Sequence, residues 1–152
     1  MNEQTIFVDM DFFRNGLIQL TETMSEEELD RIPQGFNNNP RWNIGHALVT
    51  TDYLVTNAVG ESSQLPAHYP HLFARGTSPQ DWEGKTVPTK DELLEQLKAN
   101  HQSLQQLIQG KLDQSIPFEM FHLKTVEDVV KFSTSHETLH SGIAKTQNQI
   151  QS

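Results

Sequence analysis

The sequence predicts an all-α fold, a four-helix bundle with a long connection between the second and third helices. Four stretches of about 20 residues carry apolar side chains at helical spacing. No segment combines strict alternation with turn signals at hairpin spacing, so no sheet is expected. Amphipathic helices of this kind bury their apolar faces most simply by packing together. The length of 152 residues favours a single domain over residues 1–152.

The first helix is predicted over residues 4–23. Its apolar residues recur at steps of three and four, as one helix face requires: Ile6, Met10, Phe13, Leu17, Leu20 and Met24. Ser25 followed by Glu28 forms a capping box that opens a short acidic segment. Pro33, Gly35 and the asparagines that follow then break regular structure.

The second helix is predicted to begin at Asn39 and Pro40, which fit the N-cap and first-turn positions, and to end at Gly60. The residues that share its inner face are Trp42, His46, Val49, Tyr53 and Thr56. Residues 61–88 contain repeated Pro and Gly without periodicity and form the long connection. The apolar residues of this connection predict that it packs across the helices: Leu72, Phe73 and Trp82.

Two further helices follow the connection. Thr89 and Glu92 form a capping box before a leucine-rich helical stripe that continues to Gly110. After a short break containing Pro117, Thr125 is predicted to cap the last helix. The inner face of this last helix carries Val126, Val129, Ser133, His136, His140 and Ile143.

The composition excludes several classes of function. The formal net charge is −9, and no cluster of Lys or Arg interrupts the acidic background, so nucleic acid is not an expected partner. The chain has no Cys, so a metal must be bound by His and carboxylates. No signal peptide and no run of 18 apolar residues is present, which predicts no membrane span and a cytoplasmic location.

The histidine pattern predicts a divalent-metal site. His136 and His140 are spaced i, i+4, so both imidazoles lie on one helix face and can bind one ion. His46 lies on the inner stripe of another helix. Burying an unpaired polar ring costs roughly 1–3 kcal/mol, and a shared ion removes this cost for all three rings. The alternative is that each histidine is satisfied separately in the core.

The other four histidines are not predicted ligands. His101 falls on the inner stripe of the third helix and could line the same cavity, but the preferred interpretation is a boundary histidine that either snorkels to solvent or is bonded to a carbonyl. His68 and His71 flank Pro70 in the long connection, where exposure is expected. His122 precedes the last helix and has no periodic partner.

A competing interpretation comes from residues 136–140, which match the H-E-x-x-H motif of zinc metalloproteases. The longer form of that motif needs Gly and His at positions that hold Ile143 and Thr146 here, so that form is excluded. Proteases of this kind that use a downstream Glu as the third ligand need more than the twelve residues that follow His140 here. They also normally have a sheet that aligns the substrate. Glu137 is expected to be a solvated or bundle-edge carboxylate rather than a general base.

The layout of one His on the second helix and H-x-x-x-H on the last resembles the DinB-like superfamily, which includes the YfiT-type proteins. The segment from Trp42 to His46 looks like the second-helix ligand segment of that family, and His136 to Gly142 looks like its last-helix segment. The resemblance implies that His46, His136 and His140 are the metal ligands. Members often have Arg after the final His, where this chain has Ser141.

The resemblance also suggests an activity, a metal-dependent transfer of a low-molecular-weight thiol of the bacillithiol or mycothiol type to an electrophile. An ion held by three His has an open position that can hold a thiol as its nucleophilic thiolate. Zinc or nickel is the expected ion, and the catalytic residues remain unassigned. The alternatives are a non-catalytic, stress-related metal-binding protein, a zinc-dependent hydrolase, and an interaction module without metal. A small-molecule substrate and a homodimer are compatible with the sequence.

Overall fold

Helices account for most of residues 3–150, the part of the chain that the computed structural model describes, and the all-α class is confirmed at this level. Residues 1, 2, 151 and 152 of the expected domain lie outside the described residues. The helices in chain order are α1 (Glu3–Thr23), α2 (Glu26–Asp30), α3 (Pro40–Ala58), α4 (Tyr69–Phe73), α5 (Lys90–Ile108) and α6 (Val126–Ile150).

Local hydrogen bonds explain where the long helices begin. The Asn39 side chain accepts a hydrogen bond from the backbone N–H of Trp42 at 2.8 Å, and Pro40 occupies the first turn of α3. Thr89 and Glu92 form a reciprocal capping box at the start of α5. Thr125 does the same for α6 through Asp128. All three starts agree with the sequence-based prediction.

The four long helices contact one another in a ring, in which α1 and α3 each touch both α5 and α6. One apolar cluster joins Trp42 near the start of α3 to Leu93 near the start of α5. A second cluster joins Val55 to Ile108 near the other ends of the same two helices. The two helices on either side of the long connection therefore run in the same direction.

The long connection packs across the helices, as expected. It contains α4 and a 3-10 turn at Pro79–Trp82. Tyr69, Leu72 and Phe73 of α4 are buried in the same apolar cluster as the first half of α3. Gly45 permits this contact, because a Cβ atom at that position would lie 2.3 Å from the Phe73 ring.

The expectation that no sheet is present was wrong. Strands β1 (Ser115–Met120) and β2 (Leu123–Thr125) form a small antiparallel hairpin before α6. Pro117 suggested a simple break, but proline is tolerated in edge strands. Along β1, Ile116, Phe118 and Met120 are half-buried and alternate with exposed residues.

The predicted inner faces need two corrections. Tyr53 is 64% exposed rather than inward-facing, and Phe13 is 37% exposed. The position next to Phe13 is instead buried, and it carries the charged side chain of Arg14. No helix in residues 3–150 combines the length and the apolarity that crossing a membrane requires.

Candidate metal centre

Three histidines from two helices converge on one point. The metal-ligand nitrogens of His46, on α3, and of His136 and His140, on α6, all lie within 4.8 Å of one another. Their ring centroids are 4.5–5.1 Å apart. His46 is buried, whereas His136 and His140 are half-buried. The structure therefore brings together the three side chains that the sequence analysis selected.

The orientation of His46 is determined by the long connection. Its Nδ1 lies 2.7 Å from the carbonyl oxygen of Phe73. A carbonyl oxygen only accepts hydrogen bonds, so Nδ1 carries the proton and Nε2 keeps its lone pair. The ring also stacks on Trp42, with 4.5 Å between the centroids and an angle of 10° between the planes. His46 is thus held in the tautomer that can bind a metal through Nε2.

The orientation of His140 is determined by a side-chain amide. Its Nδ1 lies 2.8 Å from Oδ1 of Asn43. The Nδ2 atom of Asn43 donates to Asn38 and Gln147, which identifies the other atom of this amide as the acceptor oxygen. Nδ1 of His140 therefore carries the proton, and Nε2 is available as a ligand.

His136 has no comparable partner. Its Nδ1 is buried and forms no hydrogen bond within residues 3–150, and the same is true of Oγ of Ser133 one turn earlier. A buried polar atom without a partner is uncommon in native proteins and often marks a site for an ion or a water molecule. This orphaned nitrogen, beside two rings with free Nε2 atoms, fits a bound cation.

The protonation of the cluster also suits a metal. Burial lowers the pKa of His46 and of His136. Burial, together with the charges that His46 and His136 would carry, lowers the pKa of His140 to about 4. The three rings are therefore neutral near pH 7, which is the form that binds divalent ions.

The spacing of the nitrogens is close to what a small divalent ion needs. A tetrahedral zinc ion with Zn–N bonds of about 2.0–2.1 Å separates its ligand nitrogens by about 3.4 Å. From the present upper limit of 4.8 Å, side-chain rotations that bring the nitrogens about 1.4 Å closer are sufficient to reach this distance. Three nitrogen donors without a carboxylate suit zinc or nickel better than calcium or magnesium.

The expected exposure of Glu137 was wrong. Glu137 is 4% exposed, and both of its carboxylate oxygens bind Arg14, at 2.7 and 3.0 Å. The hydroxyl group of Thr51 donates a third hydrogen bond to Glu137, at 3.2 Å. Because this carboxylate is committed to a buried ion pair, it is not the general base of an H-E-x-x-H protease.

The remaining histidines lie away from the cluster. Nε2 of His101 lies 2.7 Å from Oδ1 of Asp11, so its partner is a carboxylate rather than the expected carbonyl. His68 and His71 are exposed, as predicted, and His122 is exposed as well.

A cavity of about 780 Å³ opens beside the histidines, and His46 and His136 line it. Its walls come from α3, the long connection, the β1–β2 hairpin and α6. The apolar part of the lining includes Val49, Leu54, Leu65, Met120, Phe121 and Phe132. A mostly apolar cleft that also carries some polar groups is typical of a small-molecule site.

The residues that orient the histidines were not predicted from the sequence. Asn43 was noted only within the family-like segment, and Gln147 was not considered, although it follows His140 by seven residues on the same helix face. The Phe73 carbonyl has no signature in the side-chain pattern. Arg14 continues the spacing of Met10 and Leu17, so a charge on an apolar stripe was the available signal.

Comparison with known proteins gives one family and a structural relative. Residues 10–144 match the model of the DinB superfamily. Among solved structures, the chain resembles a conserved protein from Enterococcus faecalis, with a TM-score of 0.75 over 99% of this chain and 97% of the other. The two sequences are 16% identical, so this likeness concerns the fold alone. No curated protein matches the chain significantly.

Proposed function

The chain belongs to the DinB superfamily, and from this premise we propose that it binds zinc or nickel through His46, His136 and His140 and transfers a low-molecular-weight thiol to an electrophile. The observation that supports this proposal is the position of the histidine cluster beside a large apolar cavity, whose wall includes His46 and His136. The scaffold is interpreted as a four-helix bundle, and the chain as a single domain, with the long connection closing one side of the cavity.

The chemistry of the cavity supports thiol transfer. A bound divalent ion would lower the pKa of a coordinating thiol and keep it in the nucleophilic thiolate form. In a substitution, the new S–C bond forms as the bond from carbon to the leaving group breaks. The thiol proton passes to solvent, and the leaving group departs as an anion. The protein contributes no Cys of its own, so sulfur chemistry in this cavity requires an external thiol.

The residues of the chain orient the site. Phe73 and Asn43 hold the His46 and His140 rings with Nε2 facing inward, which reduces the reorganisation needed when a ligand binds. The apolar side chains of the cavity suit an electrophile with a hydrocarbon body.

A hydrolase is less well supported, because Glu137 is held by Arg14 and is not free to activate water. A purely structural metal site is also less well supported. Structural zinc sites normally have four protein ligands, whereas the cluster within the described part of the chain has three beside a cavity.

The test uses full-length protein freed of metal and reloaded with zinc or nickel. The loaded protein is expected to conjugate a model electrophile, such as 1-chloro-2,4-dinitrobenzene, when bacillithiol or mycothiol is supplied. His136→Ala should lose this activity, while the matched variant His71→Ala, at an exposed histidine, should keep it. Inactivity of the loaded protein with both thiols would overturn the proposal.

A further inference from the structure

The segment that follows α4 is anchored to the histidine cluster at two points. The Phe73 carbonyl oxygen accepts the hydrogen bond from Nδ1 of His46 at 2.7 Å. Four residues later, Oγ1 of Thr77 accepts a hydrogen bond at 3.0 Å from Nε1 of Trp42, whose ring stacks on His46. These two hydrogen bonds fix both ends of residues 74–76 relative to His46 and Trp42.

Arg75 lies between the two anchors in a tight turn. The N–H of Thr77 donates to the carbonyl of Ala74 at 3.0 Å, and Gly76 has a φ of 90°. This combination is that of a type II turn with Arg75 at its second position. The Cα atom of Arg75 is at most about 7.6 Å from that of Phe73, because consecutive Cα atoms are about 3.8 Å apart. Arg75 therefore lies two residues from the carbonyl group that contacts His46.

Arg75 differs from the other arginines of the chain. Arg14, Arg31 and Arg41 form ion pairs with carboxylates of this chain. Arg75 is exposed, lines the cavity and forms no ion pair with any carboxylate in residues 3–150. In a protein with a net charge of −9, a guanidinium without a carboxylate partner at the edge of an apolar cavity is available for an anion of the ligand.

A second charged residue of the cavity restricts where that anion can lie. Asp52 is 3% exposed, and its Oδ1 accepts a hydrogen bond from Nδ2 of Asn100 at 2.9 Å. The carboxylate of Asp52 in the cavity lining repels an anionic ligand group, so Arg75 is the side chain of this lining whose charge favours such a group. A single cation balances a single negative charge, which suits a carboxylate better than a phosphate dianion.

We propose that this cavity binds a substrate with an apolar body and one carboxylate, and that Arg75 is the residue that recognises the carboxylate. The inference rests on the proposed function only in treating the cavity as the substrate site. The apolar body lies against the hydrocarbon walls, and the carboxylate reaches the guanidinium at the edge. The histidine cluster then faces another part of the same molecule or its thiol partner.

The test measures binding without turnover. The probes are 4-phenylbutyrate and its uncharged amide, titrated calorimetrically into the full-length protein in zinc-loaded and metal-free forms. Wild-type protein is expected to bind the acid about 10-fold more tightly than the amide in both forms, as one charge-assisted contact allows. Arg75→Gln should bring this ratio close to one without changing the affinity for the amide.

Arg31→Gln is the matched control, because Arg31 is exposed and does not line the cavity. This control variant should keep the wild-type ratio.

The proposal is overturned if neither probe binds, if wild type does not prefer the acid, or if Arg75→Gln keeps the preference. A preference that requires zinc would assign the carboxylate to the ion instead. Tighter binding of 3-phenylpropyl phosphate would replace the carboxylate assignment by phosphate. This experiment measures binding only. A lack of thiol-transfer activity in the test of the proposed function would therefore not change its outcome.

Discussion

The three histidines differ in what contacts their Nδ1 atoms. His46 is held by a backbone carbonyl, which no side-chain substitution removes directly. His140 is held by Asn43, whose amide is itself fixed by Gln147. Nδ1 of His136 is buried without a partner among residues 3–150. A bound ion would therefore restrict His136 most, and the site as a whole is pre-oriented by the other two rings.

His46→Ala is expected to remove stoichiometric metal, because the two remaining ligands come from one helix and hold a divalent ion weakly. Elemental analysis of purified protein measures the outcome. His101→Ala serves as the control, since its ring pairs with Asp11 rather than with the cluster. Full metal content in the His46 variant would remove this residue from the ligand set.

Asp52 provides a pH-dependent prediction of stability. Burial raises the pKa of Asp52 above its ordinary value of 3.8, against the opposing effects of Ser63, Asn100 and Arg14. Ionisation then costs more in the folded protein than in the unfolded chain. This cost is absent well below pH 3.8, grows as pH rises from 3.8 towards the folded-state pKa, and is fully present above that pKa.

Asp52→Asn removes this titration while its side-chain oxygen can still accept the hydrogen bond from Asn100. The variant should therefore melt at a higher temperature than wild type at pH 7, with a smaller difference at pH 4. Thermal unfolding of metal-free protein at the two pH values is the measurement. A lower melting temperature of the variant at pH 7 would show that the carboxylate is net stabilising.

Helix α3 is the element that organises the site. Its first turn is fixed by Asn39, its next turn carries Asn43, and His46 follows on the same side. Gly45 lets the Phe73 ring approach the helix backbone, and the Phe73 carbonyl in turn orients His46. The fit between α3 and α4 thus couples helix packing to the geometry of a candidate ligand.

Gly45→Ala is expected to destabilise the protein by about 1–3 kcal/mol, because the added methyl group overlaps the Phe73 ring. It should also weaken zinc binding, since Phe73 must move away from His46. Urea denaturation and a zinc titration measure the two effects.

Gly142→Ala is the control for this substitution. Gly142 also lies within a helix, and a Cβ atom there meets nothing within 4 Å. This variant should be stabilised by about 0.5–1 kcal/mol through the higher helix propensity of alanine. Equal effects of the two substitutions would contradict the packing argument.

At the scale of the whole molecule, a buried polar network connects the four long helices. Arg14 of α1 binds Glu137 of α6, and it also contacts Asn100 of α5 at 3.2 Å. Asn100 continues the network to Asp52 of α3. The network thus joins all four long helices. Although Glu137 follows His136 directly in the chain, these contacts occupy its carboxylate.

Arg14→Met is expected to destabilise the protein by about 3–5 kcal/mol, because it leaves the Glu137 carboxylate buried without its cationic partner. Adding Glu137→Met should recover most of this loss, as an apolar pair replaces the ion pair. Denaturant unfolding of the single and double variants tests this. If the double variant is no more stable than the single one, the ion pair is not the source of the loss.

The helices and the clustered histidines were accessible to sequence reasoning because their signals are local. Capping residues such as Asn39 and Thr89 lie within three residues of the groups that they satisfy. His136 and His140 are neighbours by helical periodicity alone. The hairpin was not predicted because its strands are short and β1 contains Pro117. Tyr53 was predicted to be buried, but the part of α3 that carries Val49 and Tyr53 lines the cavity.

The amino-acid sequence by itself determined the helical class, the starts of the long helices, the lack of any protein thiol and the three histidines of the cluster. Only the tertiary structure decided that Glu137 pairs with Arg14, that Phe73 and Asn43 orient the rings, and that a cavity opens beside them. The physical reason is the range of the interactions. Caps and periodicity act within one or two helical turns, whereas ion pairs, carbonyl contacts and cavities join residues that are distant along the chain.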